Sequence, residues 1–245
     1  MFTFMASKVR LFVDHPLGHA QSVPLTRDQA HYLFGVMRLG AGVGVSLING
    51  ADGEWDAEIV EAGKKSGVLL CQSQTKLLQI PPDVWLLFAP IRKERTAFIV
   101  EKATELGAAR IIPIQTEYTN NADRLRVDKL RAHALEATEQ CGGTYVPPVD
   151  DLAKLPKVLD SWDPARRIMF CDETMLGQAS VLDVGLTGPW AIIIGPEGGF
   201  SEKERTRLHG MDCAHPVSLG PRILRADTAA VAALALWQNA MGDWG

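Results

Sequence analysis

No Cys-x-x-Cys pair occurs in this chain of 245 residues: Cys71, Cys141, Cys171 and Cys213 are scattered singly, and none joins a histidine in a metal-ligand pattern. That spacing excludes a disulfide scaffold and gives no zinc signature, so the four read as reduced thiols of a cytoplasmic protein, with no metal expected. No apolar run approaches the length of a membrane span, and Met1 to Arg10 lacks the basic start and long apolar core of a secretion signal. An excess of positive charge is also missing. With a net charge of −4 the body exerts no general pull on nucleic acid, and any RNA contact must come from a local basic patch. The six histidines show no nucleophile-base spacing, and the tryptophans read as packing residues. There is neither an internal repeat nor a low-complexity tract.

What is present is an ordinary globular composition, 47% hydrophobic and 22% charged, at a length that suits one large α/β domain or two unequal ones. The first part reads as β-rich with one helix. Val9 to Val13 is a short apolar strand, and Thr26 to Arg38 carries helical spacing behind a Thr26 cap. Val43 to Ile48, Trp55 to Val60 and Gly67 to Leu70 follow as short strands, with Asn49 and Gly50 turning the first into the second, as in a small barrel. Gln72 to Asp83, with Pro81 and Pro82, reads as a linker, which sets domains at 1–75 and 76–245.

From Val84 the pattern changes to apolar runs alternating with helices, the signature of a mostly parallel sheet with helices on both faces. The expected strands are Val84 to Ala89, Ile111 to Ile114, Ile168 to Cys171, Ala191 to Ile194 and Val217 to Leu219. Helices are expected over Arg92 to Leu106, ending at Gly107, over Val127 to Gln140, and over Thr228 to Met241. The last is apolar almost all round, as a helix in a dimer interface would be.

Two loops carry the chemical signal. Ala191 to Glu204 runs from a buried strand through Gly195-Pro196-Glu197-Gly198-Gly199-Phe200 into a capping box of Ser201 and Glu204. Glycines at a strand's carboxyl end let a ligand approach the backbone, although a tight turn alone accounts for them equally well. No Gly-Lys-Ser/Thr follows, so this is not a Walker loop. The second loop, Leu219 to Thr228, carries Gly220, Pro221, Arg222 and Arg225 before a helix capped by Asp227 or Thr228. Two such loops at adjacent strand ends point to a ligand site more strongly than either does separately.

These loops, with Glu101-Lys102-Ala103-Thr104-Glu105-Leu106-Gly107, Arg10-Leu-Phe-Val, Ala30-His31-Tyr-Leu and Val36-Met-Arg38, closely resemble the RsmE family within the SPOUT class. The resemblance covers nearly the whole chain. It implies an N-terminal PUA-like β-barrel and a C-terminal SPOUT-type parallel sheet with a trefoil knot, which no propensity argument would propose. It further implies a homodimer that uses S-adenosyl-L-methionine to methylate N3 of a uridine in 16S ribosomal RNA, in the small-subunit particle. By the same resemblance Ile194, Gly195, Gly199, Leu219, Gly220, Ile223 and Leu224 wrap the cofactor, and Arg225 lies near the methyl group. Arg10, Arg38, Arg92 and Arg95 match basic positions that contact RNA. Lys93, Gly143 and the pair Ala226-Asp227 depart from the family pattern, and Gly143 stands where an arginine is common.

Methylating uracil N3 requires loss of its proton and stabilisation of the charge that spreads to O2 and O4. The planar fork of Arg225 suits the second task. For the base, Glu197 and Asp227 are candidates by proximity in sequence; bracing of its own loop and capping of the helix are their simpler roles. Two other readings stay open: a same-fold methyltransferase acting on a different base, and a catalytically silent RNA-binding or assembly protein.

Overall fold

The computed structural model describes residues 9–120, 122–175, 177 and 187–244; the expectation drawn from the first residues, up to Lys8, lies outside them. Their contacts divide into two units. The first comprises the described residues up to Ile80 together with Thr138–Val146, the second Pro81–Ala137 and the described residues from Pro147 onward.

The first unit holds β1 (Arg10–Phe12), β2 (Ser22–Pro24), α1 (Arg27–Ala30), β3 (Gly44–Ile48), β4 (Glu54–Ala62) and β5 (Gly67–Lys76). Its sheet has the order β1-β3-β4-β5-β2, with β1 and β3 parallel and the other pairs antiparallel. Three register shifts between β4 and β5 curl it, as bulges do. Val23, Leu33, Val45, Leu47, Ile59 and Leu69 are fully buried in the core it wraps. Thr26 closes a reciprocal capping box with Gln29, as the sequence reading expects of a cap there. The helix then departs from the simple 3.6 spacing: His31–Val36 forms a wider π-helical turn, in which Met37 N donates to Tyr32 O at 2.9 Å. β5 also outruns its expected end. The polar stretch Gln72 to Lys76, read as linker, pairs with β4 because backbone pairing in a hairpin does not depend on apolar side chains.

The second unit contains β6 (Val84–Phe88), α2 (Lys93–Glu105), β7 (Arg110–Gln115), α3 (Val127–Cys141, its last turn grouping with the first unit), β8 (Ala153–Lys154), α4 (Leu155–Asp160), β9 (Arg167–Cys171), β10 (Trp190–Ile194), α5 (Glu202–His209), β11 (Ala214–Val217) and α6 (Ala226–Met241). All its strand pairs are parallel, in the order β11-β9-β10-β6-β7-β8. The central strands β6 and β10 are apolar throughout because both faces are covered. Val84, Leu86, Phe88, Ile192 and Ile194 face the layer with α2 and α6, while Leu87, Ala191 and Ile193 face the layer with α4 and α5.

Helices α2 and α6 lie side by side, tied at both ends. Arg95 pairs with Asp227 at 3.0 Å near their starts, and the fully buried Gln238 donates to Leu106 O at 2.7 Å near their ends. Gly107, at φ +74°, stops α2 where expected. Strand β11 comes earlier in the chain than the apolar pattern suggests, over Ala214–Val217, with Pro216 inside it. Among the described residues it pairs only with β9, and an edge strand tolerates the missing N–H of a proline.

Candidate functional site

Strands β9, β10 and β11 run in the same direction, so their carboxyl ends meet at one edge of the sheet, and the loops leaving them form the walls of a single pocket. The sequence reading placed the two glycine loops at adjacent strand ends; in the structure β9 stands between them. Sequence order misleads here, because the chain after β10 crosses over β9 to reach the sheet's edge. The consequence is a third wall, Cys171, Asp172 and Glu173, that the sequence reading missed.

The loop after β10 is tightly seated. Its Gly199 N donates to Pro196 O at 2.9 Å, and Phe200 packs edge-on against Phe170 with ring centroids 5.2 Å apart. Gly195 leaves room for that ring, since a Cβ there would lie 2.8 Å from it. At Gly199 two demands coincide: φ is +69°, and a Cβ would come within 2.0 Å of the Glu173 carboxylate. Ser201 and Glu204 then close the expected capping box at the start of α5.

The loop after β11 places Leu219, Gly220, Arg222, Ile223 and Leu224 on the opposite wall. It ends at Arg225, which is the N-cap of α6 and makes no side-chain capping bond. This corrects the expectation that Asp227 or Thr228 caps the helix, which starts at Ala226, two residues before the expected Thr228. Asp227 lies inside the first turn, buried, where its carboxylate accepts from Arg95 and from Thr228 N at 2.8 Å. A carboxylate in that position complements the positive end of the helix without capping it.

The third wall rests on Asp172, whose side chain is wholly shielded from solvent. One carboxylate oxygen accepts from Thr174 N at 2.9 Å and from Thr174 Oγ1 at 2.8 Å; the other meets His209 Nε2 at 2.8 Å. Burial by itself would raise its pKa, but the hydrogen bonds from Thr174 and His209 outweigh burial and hold the carboxyl below its ordinary value. Beside it, burial pushes the Cys171 thiol up to about 12. No sequence signal joins Asp172 to His209, 37 residues away, because the histidines show no nucleophile-base spacing.

The pocket, open to solvent, is lined by Ile194, Gly195, Gly199, Leu219, Gly220, Ile223 and Leu224, all seven residues expected around the cofactor, and by Glu197. Arg225 is not in the lining; it stands exposed just beyond Leu224. Arg92 and Arg95 are exposed at the start of α2, beyond the carboxyl end of β6, and Arg95 is engaged with Asp227. Arg38 is exposed in the first unit, at φ +56°. Arg10 is largely enclosed in that unit. Its guanidinium meets Glu54 at 2.7 Å and donates to the carbonyl oxygens of Thr138, Glu139 and Gly143. Among the described residues no cluster of three His, Cys, Asp or Glu side chains is placed to hold a metal ion, and no helix is long and apolar enough to cross a membrane.

Comparison with known proteins gives this geometry its context. A family model described as the RNA methyltransferase domain matches residues 79–238, and one described as the RNA methyltransferase PUA domain matches residues 25–70. The chain is 30% identical over 231 residues to the ribosomal RNA small subunit methyltransferase E of Rickettsia conorii, covering 92% of this chain and 93% of that one. To the protein of the same name from Synechocystis it is 31% identical, over 87% of this chain and 72% of the other. Among solved structures, a putative methyltransferase from Legionella pneumophila in complex with the bound cofactor SAM superposes with a TM-score of 0.88 at 27% identity, covering 97% of this chain and all (100%) of that one.

Proposed function

The chain belongs to the RNA methyltransferase family, and from that premise we propose that it methylates N3 of a uridine in the 16S ribosomal RNA of the small subunit. It is an RNA methyltransferase with a SPOUT-type α/β domain and an N-terminal PUA-like barrel. The observation that carries the proposal is the pocket itself, built at three parallel strand ends from both glycine loops. Open α/β sheets bind ligands at such an edge.

The pocket's residues fit S-adenosylmethionine. Ile194, Leu219, Ile223, Leu224 and Ala229 offer apolar surface for the adenosine, and the glycines bring backbone close to it. Glu173 and Glu197 supply acidic groups toward a ligand that carries a cationic sulfonium and an ammonium, on a wall braced by the enclosed Asp172. When bound, this cofactor supplies a methyl group open to in-line displacement. The protein's share is then to position the uracil and steady its charge. Arg225, exposed and without an ion pair among the described residues, is free to face O2 or O4 of the base; Glu197, exposed on the pocket's rim, is the group we assign to take the N3 proton.

We place Arg38 and Arg92 on RNA phosphates, where such contacts set register without reading sequence. Arg95 and Arg10 support them, one through Asp227 and one by fixing the first unit's edge. The substrate in this reading is the small-subunit particle in the cytoplasm and the active form a homodimer, a reading supported by the exposed Leu236 on α6 and Trp244 after it. Calorimetric titration of S-adenosylmethionine tests the first step, and folded protein that takes up no heat would end the enzyme reading. Digestion of small-subunit RNA from a deletion strain tests the second: 3-methyluridine is expected to vanish, and its persistence would reassign the target.

A further inference from the structure

We propose that Tyr118 is the platform on which the base presented to the pocket stacks. The inference rests on the RNA methyltransferase reading above and adds a substrate-positioning residue on a loop outside the two glycine loops.

Tyr118 follows β7 on a turn that is closed in itself. Thr116 N donates to Thr119 Oγ1 at 2.9 Å and Thr119 N to Thr116 O at 3.2 Å. The turn is also fastened to the pocket's own scaffold. Glu117 N donates to one carboxylate oxygen of Glu204 at 2.9 Å, and the other oxygen accepts from Ser201 N at 2.9 Å, in the cap of α5. The tyrosine therefore lies against Gly198, where an added Cβ would come 3.3 Å from Tyr118 Cβ. Gly198 sits between Glu197 and Gly199, both of which line the pocket.

Despite this anchoring the side chain is 47% exposed, and its hydroxyl has no partner among the described residues. On the pocket wall itself Ile223 is 76% exposed. A large aromatic fixed in a rigid turn, open to solvent and packed on the loop that walls the pocket, matches what an extruded base needs. An enzyme acting on a ring nitrogen must take the base out of its own stack, and an aromatic side chain replaces the lost stacking partner. Tyrosine does this at little cost in side-chain freedom when its backbone is already held.

The test uses the full chain carrying S-adenosylhomocysteine and a labelled single-stranded oligouridine, with wild type, Tyr118→Phe, Tyr118→Leu and Tyr118→Ala. Loss of stacking on Tyr118→Ala is expected to weaken RNA binding by about 5- to 150-fold. Tyr118→Phe should bind within about twofold of wild type, while Tyr118→Leu should follow the alanine variant. Cofactor affinity and melting temperature should be unchanged in all four proteins. Equal RNA binding by all four overturns the proposal, and so does a loss that phenylalanine does not restore. The underlying reading is scored separately, by methyl transfer from S-adenosylmethionine to small-subunit RNA. Wild type that binds the oligonucleotide with the expected tyrosine dependence but forms no methylated nucleoside supports the platform and refutes the reaction; wild type that binds no RNA overturns both.

Discussion

Arg222 and Arg225 leave the same loop with different surroundings: the first lines the pocket, and the second stands beyond it as the cap of α6. That placement separates binding from turnover. Arg225→Ala is expected to lower the single-turnover rate of methyl transfer by about 100- to 1,000-fold, the range for losing one donor to a developing oxyanion, with cofactor affinity within a few-fold by calorimetry. A fall in cofactor affinity alone would move Arg225 to the cofactor's side. Asp172 makes a prediction of opposite character. Its folded pKa is depressed, so its stabilising effect is present above the ordinary carboxylate value of 3.8 and is lost as pH falls through the lower folded value. Urea unfolding should therefore show wild type losing more stability than Asp172→Asn between pH 5 and the most acidic pH at which both stay folded. Parallel loss in the two proteins would mean that Asp172's bonds to Thr174 and His209 do not discriminate between its charge states.

Among the elements, the pairing of α2 with α6 is the joint that holds the second glycine loop in place. Asp227 is buried while the side chain of Arg95 is 54% exposed, so the pair is only partly screened, and removing the arginine leaves a shielded carboxylate. Arg95→Ala should cost about 1–2 kcal/mol after allowing for solvent on the arginine's side, or roughly 2–6 °C in melting temperature. An unchanged melting temperature in calorimetric scans would show the pair to be dispensable. Local periodicity made most elements legible. The apolar run Val84 to Phe88, the stripe ending at Gly107 and the capping box at Ser201 each depend on neighbours a few residues apart. What stayed hidden depends on distant partners. β9 enters between the two glycine loops through strand order alone, and β11 hides behind Pro216, which only an edge position permits. The π-helical turn His31–Val36 inserts a hydrogen bond that a 3.6-residue pattern does not register.

For the molecule as a whole, electrostatics sets the terms on which RNA is met. At net −4 the chain repels a polyanion at long range, so binding rests on a few arginines acting locally. The candidate site was legible from sequence where it consists of backbone and glycine; the assignment of individual arginines was less so, because one sequence does not show which guanidinium is already engaged. In the structure Arg10 meets Glu54 and three carbonyl oxygens, whereas Arg38 and Arg92 are exposed. Each phosphate contact releases counterions, so the logarithm of the RNA association constant should fall linearly with the logarithm of salt concentration. Arg38→Ala and Arg92→Ala should each reduce that slope by about 0.7 if the arginine touches a phosphate of a single strand. Arg10→Ala should leave the slope near the wild-type value and lower the stability of the first unit instead, since its removal leaves the buried Glu54 carboxylate with only Thr75 and Lys76 as partners and frees three carbonyl oxygens. A reduced slope in Arg10→Ala with unaltered stability would reverse that assignment, because an arginine occupied by internal partners has no charge to offer a phosphate without giving them up.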